Sequence, residues 1–317
     1  MTTELLFLEP VFKERIWGGS RLNSDFGFDI PSDTTGECWA ISAHKNGATT
    51  IKNGEFSGIS LKDLWVNHRE LFGQSYFSMT REFPLMVKIL DAKADLSVQV
   101  HPNDAYAKKY ENDSGKAECW YILNATNDAK IVYGHTAKNI EEFKNLALTN
   151  HWDKLLTSVK VHAGEFFDVP TGTVHAIGAG ALILEVQQSS DITYRLYDYG
   201  RTDDNGNPRE LHLEKSFAVI KAPHKSCNND VEVVSLGKES TLTLLTSNKY
   251  FEVQKLFVKG HLCFMNNAKY LLVCAIDGDA VINGYKVKKG DSFIVPNKTR
   301  DLDIMGEISL IITKEAN

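Results

Sequence analysis

Gly164-Glu165-Phe166-Phe167-Asp168-Val169-Pro170 returns as Gly290-Asp291-Ser292-Phe293-Ile294-Val295-Pro296, keeping Gly, an acid, Phe, Val and Pro at a constant shift of 126 residues. Glycine with an acidic neighbour, a short apolar run and a proline spell turn, strand and second turn. Two copies of one unit predict two domains of one fold. In the first copy the chain continues Pro170-Thr171-Gly172-Thr173-Val174-His175, which leaves an imidazole just past the turn; the equivalent position in the second copy, 301, is Asp.

Outward from this repeat, the period is mostly two. Asp95 to His101, Asp191 to Asp198 and Thr241 to Leu245 alternate and are bounded by turn formers. Helical signals are few. Ser60 with Asp63 starts an amphipathic segment through Leu64, Trp65, Leu71 and Phe72 that stops at Gly73, and Asn139 with Glu142 resembles a capping box ahead of Ile140, Phe143 and Leu146. Two shorter helices are expected over Asp104 to Glu111 and Leu213 to Lys221. The pattern is that of an all-β core decorated by helices.

The repeat is similar to the second motif of the cupins, the jelly-roll or double-stranded β-helix barrels. That resemblance implies an all-β fold of two cupin barrels with a few added α-helices. It also gives His175 the position of a cupin metal-binding histidine, and Asp301 in its place implies a second barrel without metal. Lys225 to Asp230 is polar and turn-rich, setting the expected division at 1–229 for an N-terminal catalytic domain and 230–317 for a smaller C-terminal one. All five tryptophans lie in the first half and nine of the ten histidines precede residue 225, so the chemistry is expected in the N-terminal two thirds.

Composition closes off other classes. With 317 residues, 43% hydrophobic and 24% charged, the chain reads as an ordinary globular protein. A net charge of −6 and the lack of any basic block argue against nucleic acid and anionic membrane as partners. The longest apolar run, Tyr270 to Ile276, is far short of the roughly 20 residues that cross a bilayer. Met1 to Pro10 does not read as a signal peptide, so a cytoplasmic protein is expected, acting as a monomer or weak homo-oligomer. The five cysteines, Cys38, Cys119, Cys227, Cys263 and Cys274, are odd in number and include no Cys-x-x-Cys pair; they are expected to be reduced packing residues.

Three segments carry candidate chemistry. In a strand, Leu96, Val98 and Val100 share one face while Ser97, Gln99 and His101 share the other, and Pro102 leaves His101 at the strand end. Lys116, Glu118 and Trp120 likewise share a face opposite Cys119, Tyr121 and Leu123. Singly, each segment has a plainer reading: a solvent-facing strand, a surface ion pair, a structural histidine at 175. Together, Gln99, His101, Glu118 and His175 supply two imidazoles, a carboxylate and an amide oxygen to one end of a jelly roll. That donor set suits Zn²⁺ or another divalent first-row ion, with positions left open for water or substrate.

The motifs Trp17-Gly18-Gly19, Gly36-Glu37-Cys38-Trp39, Leu96-Ser97-Val98-Gln99-Val100-His101-Pro102-Asn103-Asp104, Gly115-Lys116-Ala117-Glu118-Cys119-Trp120, the turn through His175, and Asp191-Ile192-Thr193-Tyr194-Arg195-Leu196-Tyr197-Asp198 resemble, in order and spacing, the type I mannose-6-phosphate isomerases. Fewer than sixty residues separate Glu118 from His175, so the likeness is to the short bacterial form. The resemblance puts Gln99, His101, Glu118 and His175 at metal-ligand positions, Arg195, the active-site arginine, and Lys116 at catalytic positions, and Ser97, Lys88 and Trp17 at substrate-binding positions. Cys38 stands where a serine is expected.

An aldose–ketose isomerase for mannose 6-phosphate and fructose 6-phosphate, with one zinc per chain and a cis-enediolate intermediate, is what the resemblance implies. Such a reaction needs a base, a stabiliser for the enediolate oxygens and phosphate anchors. Arg195 can meet developing charge with its forked donors. Asp191, Thr193, Arg195 and Tyr197 share one strand face, which supports a pocket position for that arginine. The base has no assignment. A cupin dioxygenase using Fe²⁺ and a sugar-binding module without turnover are the rival readings, and the cations beside the ligands favour the isomerase.

Overall fold

The computed structural model describes residues 4–74, 82–202, 206–226 and 231–316. It is two β-barrels with a few added helices. In the first barrel, a six-stranded sheet runs in the order Phe166–Val169, Glu118–Ala125, Ala181–Gln188, Leu85–Asp91, Thr35–Ile41, Val11–Gly19. Facing it is a five-stranded sheet ordered Leu156–Lys160, Lys130–His135, His175–Ile177, Val98–Val100, Tyr194–Tyr197.

Alternation sorts each strand's side chains between three cores. Along Ala181–Gln188, Leu182, Leu184 and Val186 pack outward toward the second barrel, whereas Ile183 joins Trp17, Leu90, Trp120, Ile122 and Ile131 between the two sheets. A strand buried on both faces has no polar side, which explains its unbroken apolar start. The outer face of the five-stranded sheet is covered by helices. Val98, Val100, Tyr194 and Leu196 pack there against Phe143 and Ala147 of the helix Ile140–Leu148 and Phe217 of the helix Leu213–Val219.

The repeat occupies equivalent places in both barrels. Phe167 and Val169 face the core of the first barrel, and Phe293 and Val295, 126 positions on, face that of the second. Ser292–Val295 is extended by the N-terminal strand Leu6–Glu9, with Leu6 opposite Ile294 and Phe7 opposite Phe293. Leu6, Leu8, Cys119, Val186, Phe251, Leu272 and Ile311 then form one continuous core across the two barrels.

The expected caps are present. Ser60 accepts from the Asp63 N–H at 3.0 Å and starts the helix Leu61–Asn67. A 3-10 turn, Arg69–Phe72, follows and closes on Gly73 at φ 62°, a conformation that glycine adopts without penalty. Asn139 accepts from the Glu142 N–H at 2.9 Å. The helices Asp104–Tyr110 and Leu213–Val219 stop one and two residues short of the sequence expectation. Two one-turn helices, Arg21–Ser24 and Trp152–Leu155, were not foreseen; each is too short for any periodicity to register.

Three local expectations are corrected. Leu96 does not share a face with Val98 and Val100: it belongs to the core between the sheets, because regular pairing begins only at Val98. Tyr197 leaves the face of Arg195, since the register against Val98–Val100 shifts between these two residues, and its ring stacks on Trp152 at 4.9 Å. Cys38, Cys119 and Cys274 are buried and free, but Cys263 is exposed, near the end of the long strand Phe251–Met265. Cys227 lies outside the described residues. Among the described residues no helix is long and apolar enough to cross a membrane.

Candidate active site

Two glycine motifs bring the site together. A Cβ on Gly18 would lie 2.4 Å from the Gly36 nitrogen, and one on Gly36 would lie 2.7 Å from the Trp17 ring. The two segments meet at distances that only glycine allows, and Trp17 and Glu37, the neighbours of these glycines, line one cavity.

His101 follows the strand Val98–Val100, Glu118 opens Glu118–Ala125, and His175 opens His175–Ile177. Their ligand atoms lie within 4.8 Å of one another, and all three residues are buried. Glu118 Oε2 is 3.3 Å from His101 Nε2, and Glu118 Oε1 is 3.3 Å from His175 Nε2. The Thr173 carbonyl, 2.9 Å from His175 Nδ1, holds that proton and turns the lone pair of Nε2 toward Glu118. Lys116 Nζ stands 2.9 Å from Glu118 Oε2 and 3.2 Å from His101 Nε2.

Burial dominates the protonation states. It pushes His101 down to about 3, with the Lys116 charge adding to the effect, and it lowers His175 as well. Burial alone would raise Glu118, but the Lys116 ammonium above all, with the His101 and His175 rings beside it, holds it well below the usual carboxylate range. Burial also disfavours the Lys116 ammonium, and Glu118 and Glu185 more than offset this. Two neutral imidazoles and a carboxylate are the protonation states that bind a cation. Neither Glu118 oxygen nor His175 Nε2 has a well-directed hydrogen bond among the described residues. Buried acceptors left in this way are costly, and a divalent ion would satisfy all three. The residues therefore fit a metal.

Gln99, opposite His175 in the sheet register, belongs to the wall of a cavity of about 370 Å³. Every other proposed non-ligand residue is in that wall: Trp17, Lys88, Ser97, Lys116 and Arg195. Arg195 Nε donates to Ser97 Oγ at 3.2 Å and its Nη1 to the Glu210 carbonyl at 2.9 Å. Lys88 lies over the Trp39 ring at 4.8 Å, with its ammonium 3.8 Å from Glu37 Oε2 and 4.0 Å from Glu185 Oε1.

Sequence reasoning assigned no role to Glu37, Glu185, Arg15 or Arg209, all of which line the cavity. Glu185 had a legible signal: it is the single acid in the run Ala181–Gln188. It pairs across the sheet with Lys88 on one side and Trp120 on the other, and the Trp120 Nε1–H donates to Glu185 Oε2 at 3.1 Å. The two cavity glutamates are driven apart. Burial, then the Glu118 charge, raises Glu185 to about 7. Glu37 is also raised by burial, but Lys88 and Arg15 reverse this and hold it at about 2. One carboxyl is thus able to exchange a proton near neutrality while the other stays ionised.

Fold and site together define a cupin whose first barrel holds a cation-ready His–Glu–His group beside an ionisable, cation-rich cavity. Residues 5–118 match the model of the phosphomannose isomerase type I catalytic domain, and residues 240–314 that of the mannose-6-phosphate isomerase cupin domain. The chain is 47% identical to mannose-6-phosphate isomerase of Streptococcus mutans, covering 97% of each protein. It is 48% identical to mannose-6-phosphate isomerase ManA of Bacillus subtilis, covering 99% of each. The crystal structure of the Bacillus subtilis mannose 6-phosphate isomerase superposes with a TM-score of 0.92 at 42% identity, covering 98% of this chain and 99% of that one. A putative mannosephosphate isomerase from Archaeoglobus fulgidus, at 21% identity and a TM-score of 0.77, shares the fold. The chain belongs to the type I mannose-6-phosphate isomerase family, and it is an aldose–ketose isomerase.

Proposed function

We propose that the protein interconverts mannose 6-phosphate and fructose 6-phosphate through a cis-enediolate, with one Zn²⁺ held by Gln99, His101, Glu118 and His175. The single observation that carries this reading is the buried His101–Glu118–His175 group, whose Glu118 oxygens and His175 Nε2 lack a well-directed hydrogen bond among the described residues, beside a cavity containing both a carboxyl near neutral pKa and several fixed cations. When bound, the ion acts as a Lewis acid toward the sugar oxygens.

The chain's own residues divide the remaining work. Glu185 moves the proton between C1 and C2 at Oε1, because Oε2 is already engaged by Trp120. The Lys116 ammonium faces the oxygen that gains charge as the enediolate forms, and Arg195 meets that charge from the other wall with a guanidinium preset by Ser97 and Glu210. Ser97, Lys88 and Trp17 contact the sugar phosphate. Because the protein's net charge is −6, the phosphate must be held by local cations, and Arg15 and Arg209 supply them in the cavity wall.

The same proposal places the protein in the cytoplasm, supported by the free, buried thiols of Cys38, Cys119 and Cys274, and makes it a monomer or weak homo-oligomer. It takes 1–229 as the catalytic unit and 230–317 as the metal-free one. The test is the rate of fructose 6-phosphate formation from mannose 6-phosphate before chelation, after it, and after Zn²⁺ is returned. Loss and recovery of turnover are expected. A zinc-loaded protein that leaves mannose 6-phosphate unchanged would overturn the reading.

A further inference from the structure

Three consecutive backbone N–H groups lead into the strand that starts at Glu118, and none of them belongs to a sheet ladder. The Gly115 N–H donates to Asp104 Oδ1 at 3.0 Å, the Lys116 N–H to the Pro102 carbonyl at 3.1 Å, and the Ala117 N–H to Gln188 Oε1 at 3.0 Å. Gln188 Nε2 in turn donates to the same Asp104 Oδ1 at 2.9 Å. Asp104 is therefore a node that fixes the main chain on both sides of Lys116. There is no slack at this node: a Cβ on Gly115 would lie 2.6 Å from the Asp104 nitrogen.

The second oxygen of that carboxylate is taken from the other barrel. The Tyr250 hydroxyl donates to Asp104 Oδ2 at 3.0 Å, and Tyr250 directly precedes the strand Phe251–Met265. Burial works against the Asp104 charge, and the hydrogen bonds from Gln188, Gly115 and Tyr250 overcome it, so the carboxylate stays ionised.

We propose that Tyr250 is a positioning residue for Lys116: acting through Asp104, the second barrel aims the ammonium at Glu118 and His101 without touching substrate or metal. This rests on reading Lys116 as a working group of the isomerase site. Lys116 Nζ has two partners, at 2.9 and 3.2 Å, in a fully buried setting, and a long side chain meets both only if its backbone is held. Displacement of a catalytic group by about 1 Å costs up to about 10²-fold in rate. A barrel that keeps Gly290, Asp291 and Pro296 but has Asp at 301 thereby still takes part in the reaction of its neighbour.

Tyr250→Phe keeps the ring and its packing and removes only the donor. The expected result is a fall in kcat of about three- to tenfold, the worth of one hydrogen bond, with KM for mannose 6-phosphate within about twofold of the original and metal content unchanged. Amide hydrogens of residues 115–117 should exchange faster, and adding Tyr250→Phe to Asp104→Ala should cause no further loss, since both cut one link. An unchanged kcat with unchanged exchange, or a fully additive loss in the double variant, would overturn the proposal. The exchange measurement needs no turnover. Faster exchange in Tyr250→Phe, when the wild-type protein itself fails to isomerise, would remove the isomerase reading and leave the link between Tyr250 and the 115–117 segment standing.

Discussion

The Trp39 indole N–H donates to Glu37 Oε2 at 2.6 Å from two positions along the same strand, with the Lys88 ammonium lying over that indole and 3.8 Å from the same oxygen. Arg15 holds the other oxygen at 2.7 Å. A buried carboxylate with this many partners is a stability device as well as a cavity wall. Its folded pKa, about 2, lies below its ordinary 4.5, so its contribution is fully present above pH 4.5 and is lost as pH falls toward 2. Glu37→Gln should cost roughly 2 kcal/mol at pH 7. Urea unfolding at stepwise lower pH should show the gap between variant and wild type closing below pH 4.5. A gap that widens there would contradict the assignment.

Removal of either imidazole should empty the metal site. With His101→Ala or His175→Ala the remaining donors cannot complete a shell, and most of the affinity goes with the lost ligand. Metal analysis of both purified variants checks this, and full occupancy in both would refute the ligand assignment.

Arg195→Ala and Glu185→Gln should separate two roles at constant metal content. Loss of a donor aimed at developing charge should lower kcat by ~10²-fold with KM little changed. Loss of the proton carrier should lower kcat by ~10²- to 10⁴-fold. Steady-state kinetics on the two variants decides the matter: an Arg195→Ala enzyme altered in KM alone has lost a phosphate anchor, and a Glu185→Gln enzyme with wild-type kcat has another base.

Thiol chemistry should divide the cysteines by burial. Burial raises the thiol pKa of Cys38, Cys119 and Cys274, that of Cys274 to about 12, so none of them should react with a disulfide reagent in native protein. Cys263 is exposed and should react promptly. In a Cys227→Ser background, Cys263→Ser should abolish that fast reaction, and its persistence would place the reactive thiol elsewhere.

Much of the site could be read before any coordinates, because its ligands sit at strand ends marked by local signals. His101 precedes Pro102, His175 follows a Gly-containing turn, and Lys116 stands two residues ahead of Glu118, which opens a strand. The 126-residue repeat disclosed two related barrels for the same reason: turn chemistry and alternation are written in neighbouring residues.

Glu185, Glu37, Tyr197 and Tyr250 were decided otherwise. Glu185 acquires its raised pKa from burial and then from the Glu118 charge, with Lys116 and Lys88 pulling the other way; its place as the single acid of an apolar run is local, but the burial and the partners that set its pKa come from distant parts of the chain. A one-residue shift in pairing moved Tyr197 off the face that alternation assigned to it. The hydroxyl of Tyr250 meets Asp104 across 146 residues, and the N-terminal strand Leu6–Glu9 joins Ser292–Val295 from the far end of the chain. Local sequence determines which residues turn, alternate or cap. Which buried charges face one another depends on how sheets pack, and burial then sets their pKa, so that part belongs to the tertiary structure alone.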